Sequence, residues 1–255
     1  MDRNAGLCAI AVMAKAPQPG RVKTRLTPPL SPADAMALSR SFLRDTTTNI
    51  RLAGEQAAIS GYVAYAPANT EKLFDGMLAE GTRLILADGA PTMPAGVQGF
   101  GRSLLHAARG LFDRGYGSVC LLNSDSPTLP TGLLVQAAQA LLAPGDRVVL
   151  GPAEDGGYYL VGMKAPHAGL FEYVAWSTEQ VAEQTSERAR VLGLEIVELA
   201  AWYDVDDLAA LHRLLREIDA SAPGAGGLAP YAAPATVACV DRLGLRGLLA
   251  ASIPK

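Results

Sequence analysis

The chain has 255 residues, of which 49% are hydrophobic and 18% are charged, and this composition is typical of a globular protein with a sizeable core. The formal net charge of −3 gives no reason to expect nucleic acid or an anionic membrane surface as a partner, so any anion site has to be local. Three cysteines without metal-ligand spacing and a short, polar N-terminus predict a cytoplasmic protein without a signal peptide or a membrane span.

The first apolar segment of the chain leads into a basic loop. Residues 7–14 are all apolar and predict a strand that is buried on both faces. The loop that follows, residues 15–26, contains two prolines, Gly20 and four basic residues, which are Lys15, Arg21, Lys23 and Arg25. Ligands bind beyond the carboxyl ends of strands in open α/β sheets. The loop therefore predicts a phosphate site, and the alternative is a basic loop that is only solvated.

Apolar periodicity and turn residues predict the remaining elements. Further strands are predicted at residues 57–66, 83–87, 118–122, 147–150, 158–163 and 194–199. Helices are predicted at 31–53, 72–80, 104–112, 131–143, 177–192, from about 208 to 219, and at 237–249. Strands that alternate with helices indicate a mainly parallel sheet with right-handed crossovers. The strands on either side of residues 151–157 are too close for a crossover helix, so one of them is predicted to be antiparallel.

Two groups of carboxylates follow predicted strands. Asp125 comes just after the apolar run 119–122, where it would face the ligand crevice. Asp204 and Asp206 are two residues apart in an extended segment, so both side chains lie on one face and repel each other unless a cation lies between them. The alternative interpretations are a turn or capping role for Asp125, and a helix cap at Asp206 with Asp204 solvated.

A third acidic group lies in residues 154–159, where two acidic residues precede Gly156 and Gly157. The glycines predict either a backbone pressed against a ligand or a hairpin turn, for which Asp-Gly is a common signal. Asp155 is a candidate for orienting or deprotonating an acceptor, and Tyr158 a candidate pocket residue.

The three acidic groups and the basic loop together predict a metal-assisted phosphate site. Asp125, Asp204 and Asp206 supply the oxygen ligands that Mg²⁺ or Mn²⁺ prefers, and Lys23 and Arg25 would stabilise phosphate charge. Neither a P-loop nor a G-x-G-x-x-G sequence follows the first strand, which argues against a P-loop NTPase and a dinucleotide-binding domain. The predicted nucleotide and substrate contacts are Ala14, Lys15, Pro19, Gly20, Lys23, Arg25, Ser124, Gly156, Gly157 and Tyr158.

Five segments in the same order resemble one bacterial family, the radical-SAM/selenodomain-associated transferases. The segments are residues 15–26, 123–127, 151–160, 176–178 and 204–206. The resemblance implies a GT-A (nucleotide-diphospho-sugar transferase) fold, a three-layer α/β/α sandwich with a Rossmann-like sheet that binds a nucleotide at its carboxyl edge. More distantly, the chain is similar to the 2-phospholactate and molybdenum-cofactor guanylyltransferases. In such folds, positions matching Asp125, Asp204 and Asp206 form the metal site.

The chain departs from the family pattern at two places. The family tends to carry an Asp-Leu-Gly-Glu-Arg-like string where residues 98–104 lack acidic side chains, and Asn123 and Ser126 stand where glycine and cysteine are more usual. The first change weakens any acceptor or base role for that loop.

Residue patterns and resemblance together predict a transferase domain at residues 1–219 and a linker and docked tail at 220–255. The predicted activity is a metal-dependent transfer from a nucleotide-activated donor to a small-molecule acceptor, with a nucleotide-sugar glycosyltransferase as the leading hypothesis. The alternatives are a nucleotidyltransferase that uses an NTP, and a nucleotide-binding module without catalysis. The oligomeric state is not predicted.

Overall fold

The computed structural model describes residues 4–88, 92–220 and 228–250, and its centre is a seven-stranded sheet. The strands are β1 (Cys8–Lys15), β2 (Ile59–Ala66), β3 (Arg83–Leu86), β4 (Ser118–Leu122), β5 (Arg147–Pro152), β6 (Tyr158–Met163) and β7 (Glu195–Glu198). They are arranged in the order β3-β2-β1-β4-β6-β5-β7.

Only β6 runs against its neighbours in this sheet. It pairs antiparallel with both β4 and β5, whereas β1 pairs parallel with β2 and β4, and β5 pairs parallel with β7. The predicted mainly parallel sheet with one antiparallel strand is therefore confirmed. As a consequence, β1, β2, β3 and β4 all end at the same edge, where ligands bind in folds of this kind.

Helices cover both faces of the sheet. They are α1 (Pro32–Ala53), α2 (Phe100–Phe112), α3 (Thr131–Leu142), α4 (Val181–Val191), α5 (Leu208–Ala220), α6 (Pro234–Leu243) and α7 (Leu245–Ala250). One core contains residues of α1, α3, α5 and α6, and the other contains residues of α2 and α4. Alternate residues of β1 belong to opposite cores, as expected for a central strand buried on both faces. The predicted α/β/α sandwich is confirmed.

The start of α1 follows directly from its sequence. The Ser31 hydroxyl accepts a hydrogen bond from the backbone N–H of Asp34 at 3.1 Å, and Pro32 occupies the first helical position. This capping arrangement satisfies a backbone donor that the first turn leaves free. It fixes where the chain turns back after the basic loop.

Four predicted helices differ from the observed ones, and one of them, predicted at 104–112, begins already at Phe100. The predicted helix 72–80 is a single 3₁₀ turn, Glu71–Phe74. The predicted helix 177–192 begins only at Val181, because Ser177 has a φ of 66°, which the first turn of a right-handed helix cannot accommodate. The predicted tail helix is divided into α6 and α7 by Gly244, which is in the left-handed conformation.

The C-terminal helices are attached to the body of the protein through α1. The buried carboxylate of Asp45 in α1 accepts hydrogen bonds from the backbone N–H groups of Ala235 and Thr236, at 3.0 and 2.6 Å, and so caps α6. Residues 221–227 of the predicted linker lie outside the described residues, and the division into two parts at residue 219 stays a prediction. Among the described residues, the helices include none that is both long and apolar enough to cross a lipid bilayer.

Candidate active site

A cleft of about 380 Å³ opens at the edge of the sheet where β1, β2, β3 and β4 end. It is lined by Met13, Ala14, Lys15, Arg21, Val22, Lys23, Ser39, Ala64, Ala66, Ala87, Phe100, Ser103, Asn123, Ser124, Asp125 and Asp206. The small alanines at the strand ends leave the space open, and the basic loop closes one side of it. The volume is in the range of small-molecule and cofactor sites.

Lys23 is at the centre of the charged part of the cleft. Its ammonium nitrogen lies 2.7 Å from Oδ1 of Asp125 and 2.8 Å from Oδ1 of Asp206, and it also donates to the carbonyl oxygen of Val205 at 2.8 Å. The side chain is only 4% exposed, and its ammonium group lies 5.4 Å from the centre of the Phe42 ring. Two carboxylates from distant parts of the chain therefore converge on one cation.

Charge within this cluster shifts two pKa values. Burial alone would lower the pKa of Lys23, but the charges of Asp125 and Asp206 and their hydrogen bonds outweigh it and raise the pKa. The pKa of Asp204 is raised to about 6, mainly by burial and further by the nearby charges of Asp206, Asp155 and Asp125. The protein thus concentrates more negative charge here than Lys23 neutralises.

The residues present fit a divalent cation bound by two carboxylates. Asp125 and Asp206 already hold one cation, the Lys23 ammonium, and hard carboxylate oxygens are suited to Mg²⁺ or Mn²⁺. Mg²⁺ commonly takes one or two protein carboxylates together with water and substrate phosphates. The described residues do not assemble the predicted three-carboxylate set, since no group of three or more His, Cys, Asp or Glu side chains there could hold a metal ion.

A second cavity of about 420 Å³ adjoins the cleft on the other side of Asp206. Its lining combines arginines and carboxylates: Arg25, Glu154, Asp155, Tyr203, Asp204, Asp206, Asp207, Ala209, Ala210, Arg213 and Arg216. Arg213 pairs with Glu154 through two hydrogen bonds and lies 3.9 Å from the centre of the Tyr203 ring. Asp206 thus lines both the cleft and a second, more polar cavity.

The predicted site residues divide between these two cavities. Ala14, Lys15, Lys23, Ser124, Asp125 and Asp206 line the cleft, whereas Arg25, Asp155 and Asp204 line the second cavity together with Asp206. The basic loop was predicted to present four cations to phosphate. Lys23 pairs with carboxylates instead, and Arg25 faces the second cavity, so only Lys15 and Arg21 remain as cations of this loop in the cleft.

The Gly-Gly segment forms a hairpin turn between β5 and β6, the alternative that the sequence left open. The N–H of Ala153 donates to the carbonyl oxygen of Gly157 at 2.9 Å, and Asp155 Oδ1 accepts from the Gly157 N–H. Gly156 has a φ of 87°, and a Cβ there would lie 2.0 Å from the Glu179 carbonyl oxygen. Gly156 therefore packs closely against the protein's own backbone, at Glu179.

Three other predicted contacts lie outside the cleft lining as the structure describes it. Pro19 and Gly20 are exposed on the tip of the basic loop. The Tyr158 hydroxyl is buried beside Thr185, and burial raises its pKa. Tyr158 therefore packs in the core on the α4 side of the sheet.

Several cleft residues were missed from the sequence. Phe100 and Ser103 belong to the segment noted only for its departure from the family pattern, and Ser39 belongs to the α1 helix, where no motif marked it. Arg21 belongs to the predicted basic loop, and the structure adds it to the cleft lining. The sequence signal for Phe100 is its position between Gly99 and Gly101.

Solved structures support the fold. The chain is 27% identical to a protein from Desulfovibrio desulfuricans G20 that is provisionally named a nucleotide-diphospho-sugar transferase; the match covers 94% of this chain and 97% of that one, with a TM-score of 0.73. The synthetase of CMP-2-keto-3-deoxy-manno-octonic acid, solved with CTP, is 13% identical over 82% of this chain and 96% of that one, with a TM-score of 0.50. Rv0371c from Mycobacterium tuberculosis H37Rv, solved with manganese, is 16% identical over 84% of this chain and 100% of that one, but its TM-score of 0.46 is too low to bear on metal binding here.

The similarity to the Desulfovibrio desulfuricans G20 protein confirms a fold of the nucleotide-diphospho-sugar transferase type, while the predicted association with radical-SAM or selenodomain proteins stays a prediction. No curated protein matches the chain. The sequence of residues 49–178, a little over half of the chain and including β2 to β6, matches the family described as "Uncharacterized protein conserved in bacteria (DUF2064)". The chain belongs to that family.

Proposed function

We propose that the protein is a metal-dependent transferase that binds a nucleotide-activated donor in the cleft. The observation that carries this proposal is the convergence of Asp125 and Asp206 on one cation, at 2.7 and 2.8 Å, beside a cleft of about 380 Å³. Mg²⁺ or Mn²⁺, held by these two carboxylates and by donor phosphates, would neutralise charge on the leaving group. The name of the Desulfovibrio desulfuricans relative supports the same class of donor.

The cations that line the cleft, among the residues that the structure describes, favour a nucleotide-sugar donor. Lys15 and Arg21 line the cleft, whereas Lys23 is already paired with two carboxylates and Arg25 lines the second cavity. Two cations and a metal suit a diphosphate, whose charge is smaller than that of an NTP. The leading proposal is therefore a glycosyltransferase that uses a nucleoside-diphosphate sugar.

The second cavity is the proposed acceptor site. It shares Asp206 with the cleft, so an acceptor there would lie beside the donor diphosphate. Asp155 lines this cavity, and its Oδ1 is fixed by the Gly157 N–H at 2.9 Å. It would orient an acceptor hydroxyl or take up its proton.

A nucleotidyltransferase is the second candidate function. The CTP-bound synthetase has a similar fold and provides the observation that favours it. In that reaction an NTP would transfer its nucleotidyl group to the acceptor and release pyrophosphate. Because Lys15 and Arg21 suit a diphosphate better than a triphosphate, the lining of the cleft favours the glycosyltransferase over this candidate.

A donor panel tests the proposal. The full chain is heated with NTPs or with nucleoside-diphosphate sugars, each with Mn²⁺ or with EDTA, and the melting temperature is recorded. The proposal predicts stabilisation by one or more nucleotide sugars only with Mn²⁺, and release of a nucleoside diphosphate when an acceptor is found. Stabilisation by NTPs alone, with pyrophosphate release, would favour the nucleotidyltransferase. Stabilisation by neither class would contradict both.

A further inference from the structure

Phe100 is an exposed aromatic side chain in the cleft. It is the first residue of α2, and 48% of its surface is exposed, although most large apolar side chains of this protein are buried. The cleft lining includes it. A ligand that covers this ring would remove apolar surface from water, which is favourable in proportion to the area covered.

The backbone on both sides of Phe100 is braced by Trp176. A Cβ at Gly101 would lie 2.7 Å from the indole ring, and one at Gly99 would lie 3.1 Å from it, so the indole packs directly against both glycines. Trp176 also makes an edge-on contact with Phe100, with ring centres 5.9 Å apart. The indole ring of Trp176 lies beside the ring of the fully buried Phe171 as well, with ring centres 6.4 Å apart. Trp176, which packs against the core residue Phe171, thus holds the Phe100 ring at the cleft.

The cleft has an apolar end and a charged end. Ala87, next to the end of β3, and Ala64 and Ala66, in β2, line the cleft together with Phe100, whereas Asp125 follows β4. Three strand spacings separate β3 from β4 in the order β3-β2-β1-β4, which is about 14 Å. A nucleoside diphosphate has the same polarity, with an aromatic base at one end and phosphates at the other, and is of comparable extended length.

We infer that Phe100 is the stacking platform for the nucleobase of the donor. The inference rests on the proposed function and names the residue that recognises the base. With the phosphates near Lys15 and Arg21, the base stacks on the Phe100 ring and covers its exposed surface. Stacking on an aromatic side chain tolerates different bases, so Phe100 adds affinity for every nucleotide by a similar factor.

Calorimetric titration of the full chain with ADP, GDP, CDP and UDP in the presence of Mn²⁺ tests this role. Phe100→Ala is expected to weaken the binding of each nucleotide that the wild-type protein binds by roughly 5- to 150-fold, the range typical of base–aromatic stacking. Phe100→Tyr keeps the ring and is expected to bind as the wild-type protein does. The control is Tyr173→Ala, which removes a 69% exposed aromatic ring that does not line the cleft.

Inorganic pyrophosphate separates stacking from a structural role, because it has phosphates but no base. Its affinity is expected to be the same in the wild-type protein and in Phe100→Ala, whereas a collapsed cleft would weaken it together with the nucleotides. Wild-type nucleotide binding that Phe100→Ala leaves unchanged would overturn the stacking role alone. Absence of nucleotide binding by the wild-type protein would contradict the proposed function and the stacking role with it.

Discussion

Lys23 holds together three segments of the chain that are far apart in sequence. Its ammonium group bridges Asp125, which follows β4, and Asp206, which precedes α5, and it also binds the Val205 carbonyl oxygen. Two like charges that close to each other are stable only with a cation between them. Lys23 therefore supports the site in the absence of a metal.

Removal of the Lys23 charge is expected to destabilise the protein. Lys23→Met leaves two carboxylates without their partner, and we expect a loss of about 1–3 kcal/mol in the free energy of unfolding, measured by urea denaturation in EDTA. Lys15→Met is the control, because Lys15 is exposed in the same loop, and it should change stability by less than about 0.5 kcal/mol. Equal effects of the two substitutions would contradict the bridging role of Lys23.

Asp204 makes stability depend on pH. Because its pKa is about 6 in the folded protein and 3.8 ordinarily, the folded state binds the proton more tightly than the unfolded chain. The stability that Asp204 contributes is therefore full below about pH 4 and is lost as the pH rises through about 6. Asp204→Asn removes the charge, so in EDTA at pH 8 we expect this variant to be more stable than the wild-type protein by about 1 kcal/mol, a value reduced for solvent screening.

Urea denaturation of both proteins at pH 4 and pH 8 measures this effect. The difference between Asp204→Asn and the wild-type protein should shrink towards zero at pH 4, where the carboxyl is protonated. A difference that is independent of pH would mean that the charge of Asp204 carries no penalty in the folded state.

At the scale of elements, the hairpin between β5 and β6 connects the second cavity to α4. The Gly156 carbonyl oxygen accepts a hydrogen bond from the Ala182 N–H at 3.0 Å, in the first turn of α4. Gly156 also lies against the Glu179 backbone. The same hairpin positions Asp155, so the packing of α4 and the lining of the second cavity depend on one turn.

Gly156→Ala is expected to cost about 3 kcal/mol or more. The added methyl group meets the Glu179 carbonyl oxygen at 2.0 Å, and a positive φ adds strain of about 1 kcal/mol or more. Gly20→Ala is the matched control, because its φ of 70° is similar but the space around it is open. Only the backbone strain is expected there, and thermal or urea denaturation of both variants measures the difference. Equal losses in the two variants would contradict the close packing at Gly156.

Most elements could be predicted from local patterns. The Ser31 cap, the apolar run of β1 and the short spacing between β5 and β6 are local signals, and they gave α1, the buried strand and the antiparallel strand correctly. The start of α4 could not be predicted in this way, because the residue type of Ser177 does not signal its left-handed φ of 66°. The predicted helix 72–80 ends at Phe74, because Asp75 has a non-helical ψ of 131° and Gly76 has a φ of 72°.

The site could be predicted by its segments but not by its contacts. The topology brings Lys15, Asp125 and Asp206 to one edge of the sheet, and sequence position relative to strand ends was enough to find them. That Lys23 points at carboxylates and Arg25 at the second cavity depends on the local path of the loop, including the left-handed conformation of Lys23 at a φ of 49°. Residue type alone does not determine such a path.

At the scale of the whole molecule, the fold places opposite charges at one edge of a sheet in a protein whose net charge is only −3. The basic loop comes from the first third of the chain and Asp206 from the last, so the site forms only when the complete sheet is assembled. The D. desulfuricans relative matches over 97% of its own length, which indicates the same architecture in both proteins. A transfer reaction at this edge would use both cavities, with Asp206 between them.

In the proposed reaction, Asp125 and Asp206 hold a divalent cation that the nucleotide needs. Calorimetric titration with UDP and the other nucleoside diphosphates, in Mn²⁺ or in EDTA, tests this metal site. The proteins compared are the wild type, Asp125→Asn, Asp206→Asn and the control Asp113→Asn. The control changes an exposed carboxylate at the end of α2. We expect Mn²⁺-dependent nucleotide binding in the wild-type protein and in Asp113→Asn, and binding weakened by at least about 10-fold, or about 1.4 kcal/mol, in the other two variants. Nucleotide binding that is equally strong in EDTA, or that Asp125→Asn and Asp206→Asn leave unchanged, would contradict this metal site.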